Sequence, residues 1–160
     1  MYVELPIRKR IRLENHDYSC TGNYFVTMCV KDGHEMLGKV VGTTALGRPF
    51  VELTQLGKCV DETIRVANRG NVKIDKYTIM PNHIHMIVIL DHSTDDRGRS
   101  SLQQVVRNIK SYVTKWAGFS FWQPRFHDHI IRNETEYRRI WQYIDENPAR
   151  WAEDCYFVET

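Results

Sequence analysis

The chain has 160 residues, the size of a single domain. Its 42% hydrophobic and 11% aromatic content excludes an intrinsically disordered protein. The net charge is only +2, so the overall charge does not require a polyanionic partner. From the length, we expect one domain spanning 1–160.

The first half of the chain predicts an arm, a strand, a small hairpin and a helix. Residues 1–21 are polar and basic and are expected to form an N-terminal arm. The β-branched and aromatic run NYFVTMCV at 23–30 predicts a strand. Four glycines in 31–53 indicate turns around a short hairpin at 40–41 and 50–53. Apolar residues at helical spacing predict a helix from about Thr54 to Asn68, followed by Gly70.

The second half predicts two strands, a helix, a strand and a last helix. The strands 72–79 and 83–90 are joined by a tight Met-Pro-Asn turn, and the polar tract 93–101 predicts a loop. An apolar stripe predicts a helix from Leu102 to Trp116, with Gly118 as its stop. After a strand near 126–131, a helix at 133–147 is expected to begin at Asn133 and to end before Pro148. Its core stripe consists of Tyr137, Ile140, Trp141 and Ile144. Trp116, in the preceding helix, is also assigned to the core.

Without the hairpin, the order of elements is β-α-β-β-α-β plus a C-terminal helix. This is the order of the ferredoxin-like split-βαβ fold, so we predict an α+β protein with a central antiparallel sheet. Both alternating sets of side chains in strand 83–90 are largely apolar, which predicts a central strand covered on both faces. The C-terminal helix is expected to cover the face that carries the histidines.

Cysteine usage and apolar segments bear on the compartment. The four cysteines have no C-x-x-C pairing or regular spacing, so they predict neither a zinc site nor a disulfide framework. The sequence shows no signal peptide and no apolar run long enough for a membrane span. We therefore expect a cytoplasmic protein with reduced thiols and no membrane partner.

His83 and His85 are the first candidates for chemistry. They lie two residues apart in a predicted strand, so their imidazoles point to the same face and form half of a metal site. The alternative is a pair of partly buried histidines that are hydrogen-bonded to their neighbours. From the spacing alone, the two interpretations are about equally good.

Tyr143 and Asn147 lie four residues apart, on one side of the last helix. Tyr143 lies about 100° from the centre of the apolar stripe, so its hydroxyl is expected at the edge of the buried face. A tyrosine hydroxyl can act as a covalent nucleophile. An amide oxygen from Asn147 would complete a site suited to Mg²⁺ or Mn²⁺. The alternative is an ordinary amphipathic tyrosine and an asparagine that ends the helix.

Basic residues concentrate in two parts of the chain. Seven basic residues and one acidic residue lie between Arg97 and Arg132, and the N-terminal run RKRIR adds four more. Such patches bind nucleic acid when they share a face, and aromatic residues among them can stack on unpaired bases. The candidate DNA-binding residues are Arg8, Lys9, Arg10, Arg12, Lys110, Tyr112, Lys115, Trp122, Arg125, His129 and Arg132.

Several residues compete for the catalytic roles. His127 and His129 also share a strand face and could be structural or contact DNA, and His129 is the alternative third metal ligand. Tyr137 belongs to the core stripe, so we reject it as the nucleophile. Tyr112 lies among basic residues, where phosphate binding or stacking is the preferred interpretation.

Six segments together carry a resemblance to a known family. They are DYSCTGNYFVT (17–27), LTQLGKCV (53–60), YTIMPNHIHMIVIL (77–90), SLQQVVRNIKSYVTKW (101–116), FWQPRFHDHIIRNE (121–134) and YIDENPARW (143–151). In this order and spacing, the chain resembles the single-tyrosine HUH transposases, and in particular the REP-associated tyrosine transposases. The resemblance spans nearly the whole chain.

The resemblance implies a ferredoxin-like nuclease acting on single-stranded, hairpin-forming DNA through a 5′-phosphotyrosine. His83 and His85 would then be the metal-binding pair and Tyr143 the nucleophile, with Mg²⁺ or Mn²⁺ as cofactor. A polar residue four positions after the nucleophile can be a further ligand. Insertion-sequence relatives typically carry Gln there, whereas this chain has Asn147, which is one methylene shorter and precedes a proline.

Three functional hypotheses follow. The first is a metal-dependent transesterase of single-stranded DNA, working as a monomer or a homodimer. The second is a catalytically silent protein that binds hairpin DNA. The third is an unrelated metalloprotein with zinc on the histidines, and the absence of cysteine ligands near the pair argues against a closed structural zinc site.

Overall fold

The computed structural model describes residues 22–42, 47–91 and 100–159, so the predicted basic arm at 1–21 and most of the predicted loop at 93–101 lie outside it. The predicted order of elements is confirmed, with boundaries shifted by a few residues. The elements are β1 (Gly22–Cys29), β2 (Gly38–Val41), β3 (Phe50–Leu53), α1 (Gln55–Ala67), β4 (Val72–Ile79), β5 (His83–Leu90), α2 (Leu102–Ala117), β6 (His127–Ile131) and α3 (Glu134–Glu146). Short 3₁₀ segments occupy Lys31–Gly33 and Asn147–Glu153.

The main sheet has the strand order β4-β5-β1-β6, and every neighbouring pair is antiparallel. This is the predicted ferredoxin-like α+β arrangement. The strand β5 is central, between β4 and β1, as its apolar character on both faces required. The strands β2 and β3 form the separate small hairpin.

The two faces of the sheet carry different helices. On one face, α1 and α2 cover alternate residues of β5, including Ile84, Met86 and Val88, all fully buried. On the other face, Ile87 packs with Ile144 of α3, and the histidines lie on this same side. The predicted covering of the histidine face by the C-terminal helix is therefore confirmed. No helix in the described ranges is long and apolar enough to span a bilayer.

Side-chain caps fix where the helices begin. Thr54 accepts a hydrogen bond from the backbone N–H of Gly57 at 3.1 Å, and Ser101 accepts one from that of Gln104 at 3.2 Å. At the start of α3, Asn133 accepts from the N–H of Glu136 at 2.8 Å. Each cap stabilises its helix by about 1 kcal/mol, because it satisfies an otherwise unpaired N–H. The cap on α3 also fixes the starting point of the helix that carries Tyr143.

A bulge in β4 ties α3 to the sheet. The pairing of β4 with β5 shifts register between Ile74 and Lys76, and a bulge turns consecutive side chains towards one face. Asp75 accepts a hydrogen bond from the hydroxyl of Tyr137, and the Lys76 ammonium lies 2.6 Å from a carboxylate oxygen of Asp145. Both partners belong to α3, so the bulge provides two polar anchors for this helix.

The anchors also shift two pKa values. The hydrogen bond from Tyr137 lowers the pKa of the Asp75 carboxyl. Burial, followed by the bond to Asp75, raises the pKa of the Tyr137 hydroxyl. A phenol that is harder to ionise and already bonded to a carboxylate is a poor nucleophile, which supports the rejection of Tyr137.

Both tryptophans predicted to be in the core are partly exposed, so these predictions are wrong. Trp116 is 55% exposed, since it lies near the end of α2 and residues 118–120, which follow the helix, are also exposed. Trp141 is 40% exposed, and its ring covers the ammonium of Lys76 at 3.9 Å. Trp141 therefore screens the anchor of α3 from solvent rather than filling the core.

The end of α3 also differs from the prediction. A proline disfavours helical geometry in the residue before it, but Asn147, which precedes Pro148, keeps helical angles of φ −56° and ψ −43°. The α-helix does stop at Glu146, and the chain continues as the 3₁₀ segment. Pro148 fits the first turn of that segment, because an N–H at this position would have no carbonyl acceptor within the segment. The continuation carries the following residues back towards the histidines.

Candidate active site

His83 and His85 lie side by side under α3, with ring centroids 4.5 Å apart. Both are buried, at 0% and 2% exposure. The prediction that they share a face is confirmed, because they alternate with Ile84 along β5 and pair with Cys29 and Thr27 of β1. The sheet therefore holds both imidazoles rigidly.

Asn82 determines which nitrogen of His83 carries the proton. The Asn82 amide group donates to the carbonyl oxygens of Gly33 at 3.1 Å and Tyr156 at 2.7 Å. Its oxygen lies 2.8 Å from Nδ1 of His83 and can only accept, so Nδ1 must be the donor. The lone pair of neutral His83 is then on Nε2, as a metal-ligating histidine requires.

The turn before His83 is itself fixed by backbone hydrogen bonds. The N–H of Met80 donates to the carbonyl of His83, and the N–H of Val30 donates to that of Asn82, both at 2.8 Å. Burial lowers the pKa of the His83 imidazole to about 4, and the nearby Asp154 carboxylate opposes only part of that shift. His83 is therefore neutral at neutral pH, with its Nε2 lone pair available.

His85 links the sheet to the proposed nucleophile. Its Nδ1 lies 2.8 Å from the hydroxyl of Thr27, and its Nε2 lies 3.4 Å from the hydroxyl of Tyr143. The Tyr143 ring also contacts Phe25 edge-on, at 6.1 Å between centroids. With 42% of Tyr143 exposed, its hydroxyl is held beside the histidines and remains reachable from solvent.

Asp154 also belongs to this site, although the sequence analysis did not select it. Its side chain is 1% exposed, and one carboxylate oxygen lies 3.8 Å from Nε2 of His83. That oxygen accepts from the amide of Asn147 at 2.8 Å, and the other accepts from the N–H of Tyr156 at 2.8 Å. The ring of Tyr156 covers His83, with centroids 4.4 Å apart.

This group of side chains fits a divalent metal ion. One ligand atom each from His83, His85 and Asp154 lies within 4.8 Å of the others. Nε2 of His83 and Oδ1 of Asn147 are buried and have no hydrogen-bond partner. An unpaired buried polar atom costs about 1–3 kcal/mol, and a cation would satisfy both lone pairs. Asn147, predicted as a ligand, thus lies at the site with a free oxygen.

A cleft of about 520 Å³ opens beside Tyr143. Along α3, Arg139, Tyr143 and Asn147 follow one another at intervals of four residues and all line this cleft. Arg139 is exposed and provides a positive charge one turn before the tyrosine. The sequence analysis did not select Arg139 either. Its spacing from Tyr143 is the signal that would have identified it.

The predicted DNA-binding residues do not form one surface around the histidines. Tyr112 is 61% exposed and Lys115 is exposed, but both are on α2, across the sheet from Tyr143. Arg125, just before β6 in the chain, and Arg132, just after it, are both exposed. The run at residues 8–12 lies outside the described ranges.

Two of these candidates are engaged inside the protein. Trp122 is 6% exposed and packs on Phe121 in the core, so stacking of its ring on a base is a wrong prediction. The ammonium of Lys110 donates to the carbonyl oxygens of Gln123 at 2.7 Å and Arg125 at 3.2 Å. Burial lowers the pKa of Lys110. Lys110 therefore holds the loop before β6.

His129 is paired with a carboxylate, away from the candidate metal ligands. Its Nε2 lies 2.5 Å from Glu136, whose other oxygen accepts from the N–H of Arg132 at 2.9 Å. Among the residues that the structure describes, the potential metal-binding group around His83 does not include His129. His129 and Glu136 thus fasten β6 to the first turn of α3.

The chain was compared with known proteins, and no family model matches it. An uncharacterized protein of Haemophilus influenzae is 30% identical over 95% of this chain and 94% of its own length. The REP-associated tyrosine transposase of Escherichia coli is 34% identical over 54% of this chain and 50% of its own length.

A solved structure extends the likeness to the fold. The REP-associated tyrosine transposase bound to a REP hairpin aligns with a TM-score of 0.62 and 26% identity, covering 88% of this chain and 74% of that one. The sheet order, the helix over the histidine face and both comparisons agree with the resemblance found in the sequence. The chain is related to the REP-associated tyrosine transposases, in sequence over about half of its length and in fold over most of it.

Proposed function

We propose that this chain is a metal-dependent transesterase of single-stranded DNA, which cleaves and rejoins strands at hairpin or repeat sequences. The observation that carries the proposal is the 3.4 Å distance between the Tyr143 hydroxyl and Nε2 of His85. A nucleophile that is open to a cleft lies beside a cluster of metal-ligating side chains. The similarity to a transposase bound to a REP hairpin supports the choice of DNA as substrate.

The metal would be held by His83 and His85, with an oxygen ligand from the segment that follows α3. We propose Mg²⁺ or Mn²⁺, because hard cations prefer oxygen ligands, which this segment and the phosphate of the substrate would supply. When bound, such a cation supplies charge neutralisation at the scissile phosphate. The protein contributes a rigid sheet that holds both imidazoles and a helix that positions the hydroxyl.

The proposed reaction conserves phosphodiester bonds. The Tyr143 oxygen attacks phosphorus and forms a 5′-phosphotyrosine, while the bond between phosphorus and the 3′ oxygen breaks. The phenol proton passes to water in the cleft, and the departing 3′ oxygen takes a proton from water. A 3′-hydroxyl of another strand reverses the step and releases the tyrosine, so no external energy source is needed.

Catalysis would rest mainly on positioning. A free phenol has a pKa near 10 and is a weak nucleophile at neutral pH. Holding the hydroxyl in line with a polarised phosphate replaces a bimolecular encounter by an intramolecular one. Tyr112 lies across the sheet and the hydroxyl of Tyr137 is bonded to Asp75, so Tyr143 is the preferred nucleophile.

The DNA would be bound mainly through its phosphates. Arg139 is placed to contact a phosphate beside the scissile one, because it lines the same cleft as Tyr143. The exposed basic residues near β6, with Lys115 on α2, would contact more distant parts of a hairpin. Such contacts weaken steeply with salt. We place this activity in the cytoplasm, where the DNA is accessible.

The test is formation of a covalent protein–DNA adduct. A panel of single-stranded hairpins, including repeats that flank the gene, is incubated with protein and Mg²⁺ or Mn²⁺ and resolved on denaturing gels. Tyr143→Phe is compared with Tyr112→Phe, which removes the same atom from an exposed tyrosine across the sheet. We expect a metal-dependent adduct in the wild type and in Tyr112→Phe, and none in Tyr143→Phe.

The other outcomes have definite meanings. An adduct that survives in Tyr143→Phe would assign the nucleophile to another residue. Salt-dependent hairpin binding without an adduct, across the whole panel and with either metal, would instead indicate a catalytically silent hairpin-binding protein.

A further inference from the structure

We infer that Asp154 is the carboxylate ligand that completes the His83–His85 metal site, and that Asn147 positions it. The inference rests on the proposed function and concerns the source of the oxygen ligand. The Asp154 carboxylate lies 3.8 Å from Nε2 of His83. Ligands at 2.0–2.2 Å from one ion are at most about 4.4 Å apart, so the two atoms are within the span of a shared cation.

The charge of the site supports this role. Two neutral imidazoles and an amide oxygen bring no negative charge, whereas hard divalent cations are bound in proteins mainly by carboxylates. In the ranges that the structure describes, Asp154 forms no ion pair with a lysine or arginine. A carboxylate that is 99% removed from water and receives only neutral N–H donors is costly to bury, unless a cation binds beside it.

The hydrogen bonds around Asp154 hold it in a ligating orientation. The N–H of Tyr156, two residues later, donates to one carboxylate oxygen, as in an Asx turn. The Nδ2 amide group of Asn147 donates to the other oxygen, the one that faces His83. Asn147 would thereby act as a positioning residue, while its unpaired Oδ1 stays within the site as a neutral oxygen beside the charged carboxylate.

The position of Asp154 in the chain gives the inference a structural consequence. His83 and His85 belong to the central strand, whereas Asp154 follows the 3₁₀ segment after α3. A cation shared by these residues would fasten the end of the chain to the sheet. The hydrogen bond from the Asn82 amide to the Tyr156 carbonyl would hold the same segment to the turn before β5.

The test is the binding of Mn²⁺ to the protein without DNA, measured by isothermal titration and by the electron paramagnetic resonance of free Mn²⁺. Asp154→Asn removes the charge and keeps the shape, and we expect its Mn²⁺ affinity to fall on the order of 100-fold. Asn147→Ala, which removes a positioning contact, is expected to lose about tenfold. Glu153→Gln removes the same charge from the exposed neighbouring residue and should bind within about twofold of the wild type.

Circular dichroism establishes whether each variant is folded. If Asp154→Asn is not folded, Asp154→Ser replaces it, because a serine hydroxyl can still accept from the N–H two residues later. Hydrogen exchange adds a readout that does not depend on activity. Mn²⁺ should protect the backbone amides of residues 153–158 in the wild type and in Tyr143→Phe, but not in the Asp154 variants.

Each outcome decides the inference separately from the proposed function. Wild-type Mn²⁺ affinity in both Asp154 variants would overturn the inference, and so would an absence of Mn²⁺ binding to the wild type. The adduct assay still tests the transesterase in either case. Mn²⁺ binding that needs Asp154 in a protein that forms no adduct would support the inference and contradict the proposed activity.

Discussion

The ion pair between Lys76 and Asp145 should hold α3 to the sheet, and its contribution to the free energy of unfolding follows from its geometry. The pair is 2.6 Å long, with side chains 22% and 32% exposed. Fully exposed pairs contribute 0.2–1 kcal/mol, so a pair shielded to this degree should reach about 1 kcal/mol. The ammonium also lies 3.9 Å from the centre of the Trp141 ring, which adds about 0.5–1 kcal/mol.

The perturbation is a double-mutant cycle with Lys76→Met and Asp145→Asn, followed by urea unfolding. We expect Lys76→Met to lower the free energy of unfolding by about 1.5–2 kcal/mol, because it removes both interactions. The coupling between the two sites should be about 1 kcal/mol, and it should decrease in high salt. Asp145 also contacts Arg48 at 3.5 Å, but this contact is lost in both steps that replace Asp145, so it cancels in the cycle.

The exposed pair of Glu134 and Arg138 on α3 provides the matched control, with side chains 70% and 78% exposed. Its coupling should not exceed about 0.5 kcal/mol. If the Lys76–Asp145 coupling were no larger than this control value, the assignment of an anchoring role to the bulge in β4 would be refuted.

Three further predictions concern α3. Ile144→Ala should lower the free energy of unfolding by about 2–5 kcal/mol, because this side chain is fully buried, whereas Ile144→Val should cost about 0.5–1.5 kcal/mol, both by urea unfolding. Arg139→Ala should reduce the salt dependence of hairpin binding by about one phosphate contact, while Arg138→Ala should leave it unchanged in a filter-binding titration. Hydrogen bonds from the Arg132 N–H and then from His129 lower the pKa of the Glu136 carboxyl in the folded protein. The ionised Glu136 side chain therefore stabilises the fold fully above pH 4.5, and this stabilisation is lost as the pH falls below that value. The thermal stabilities of wild type and Glu136→Gln should therefore converge on acidification, and a constant difference down to acid pH would contradict this assignment.

Most of the fold could be predicted because its signals are local. The β-branched and aromatic run of β1, the apolar run of β5 and the helical spacing in α1 and α2 are properties of consecutive residues. The position of His83 and His85 on one face could be predicted from the sequence, because it required only that β5 be a strand. The face covered by α3 followed from the order of elements, because the first two helices occupy the other side.

What the sequence did not reveal depends on tertiary contacts or on irregular backbone. The bulge at Asp75 changes which residues of β4 face α3, and nothing in the run VKIDKYTI marks it. Asp154 reaches His83 only because the 3₁₀ segment turns the chain back, so no spacing rule connects the two residues. Trp122 lies three residues before Arg125 in the chain, but its backbone pairs with Val30 and its ring enters the core.

The close approach of the Tyr143 hydroxyl to His85 within one polypeptide bears on how two copies could cooperate. Each copy holds its own tyrosine against its own histidines. A mixture of a chain lacking the tyrosine with a chain lacking the histidines would then contain no intact site, since neither subunit can lend the other its missing part. Under the proposed function, genetic complementation between such alleles should fail, and each molecule would have to process its own strand before the ends of two strands are joined.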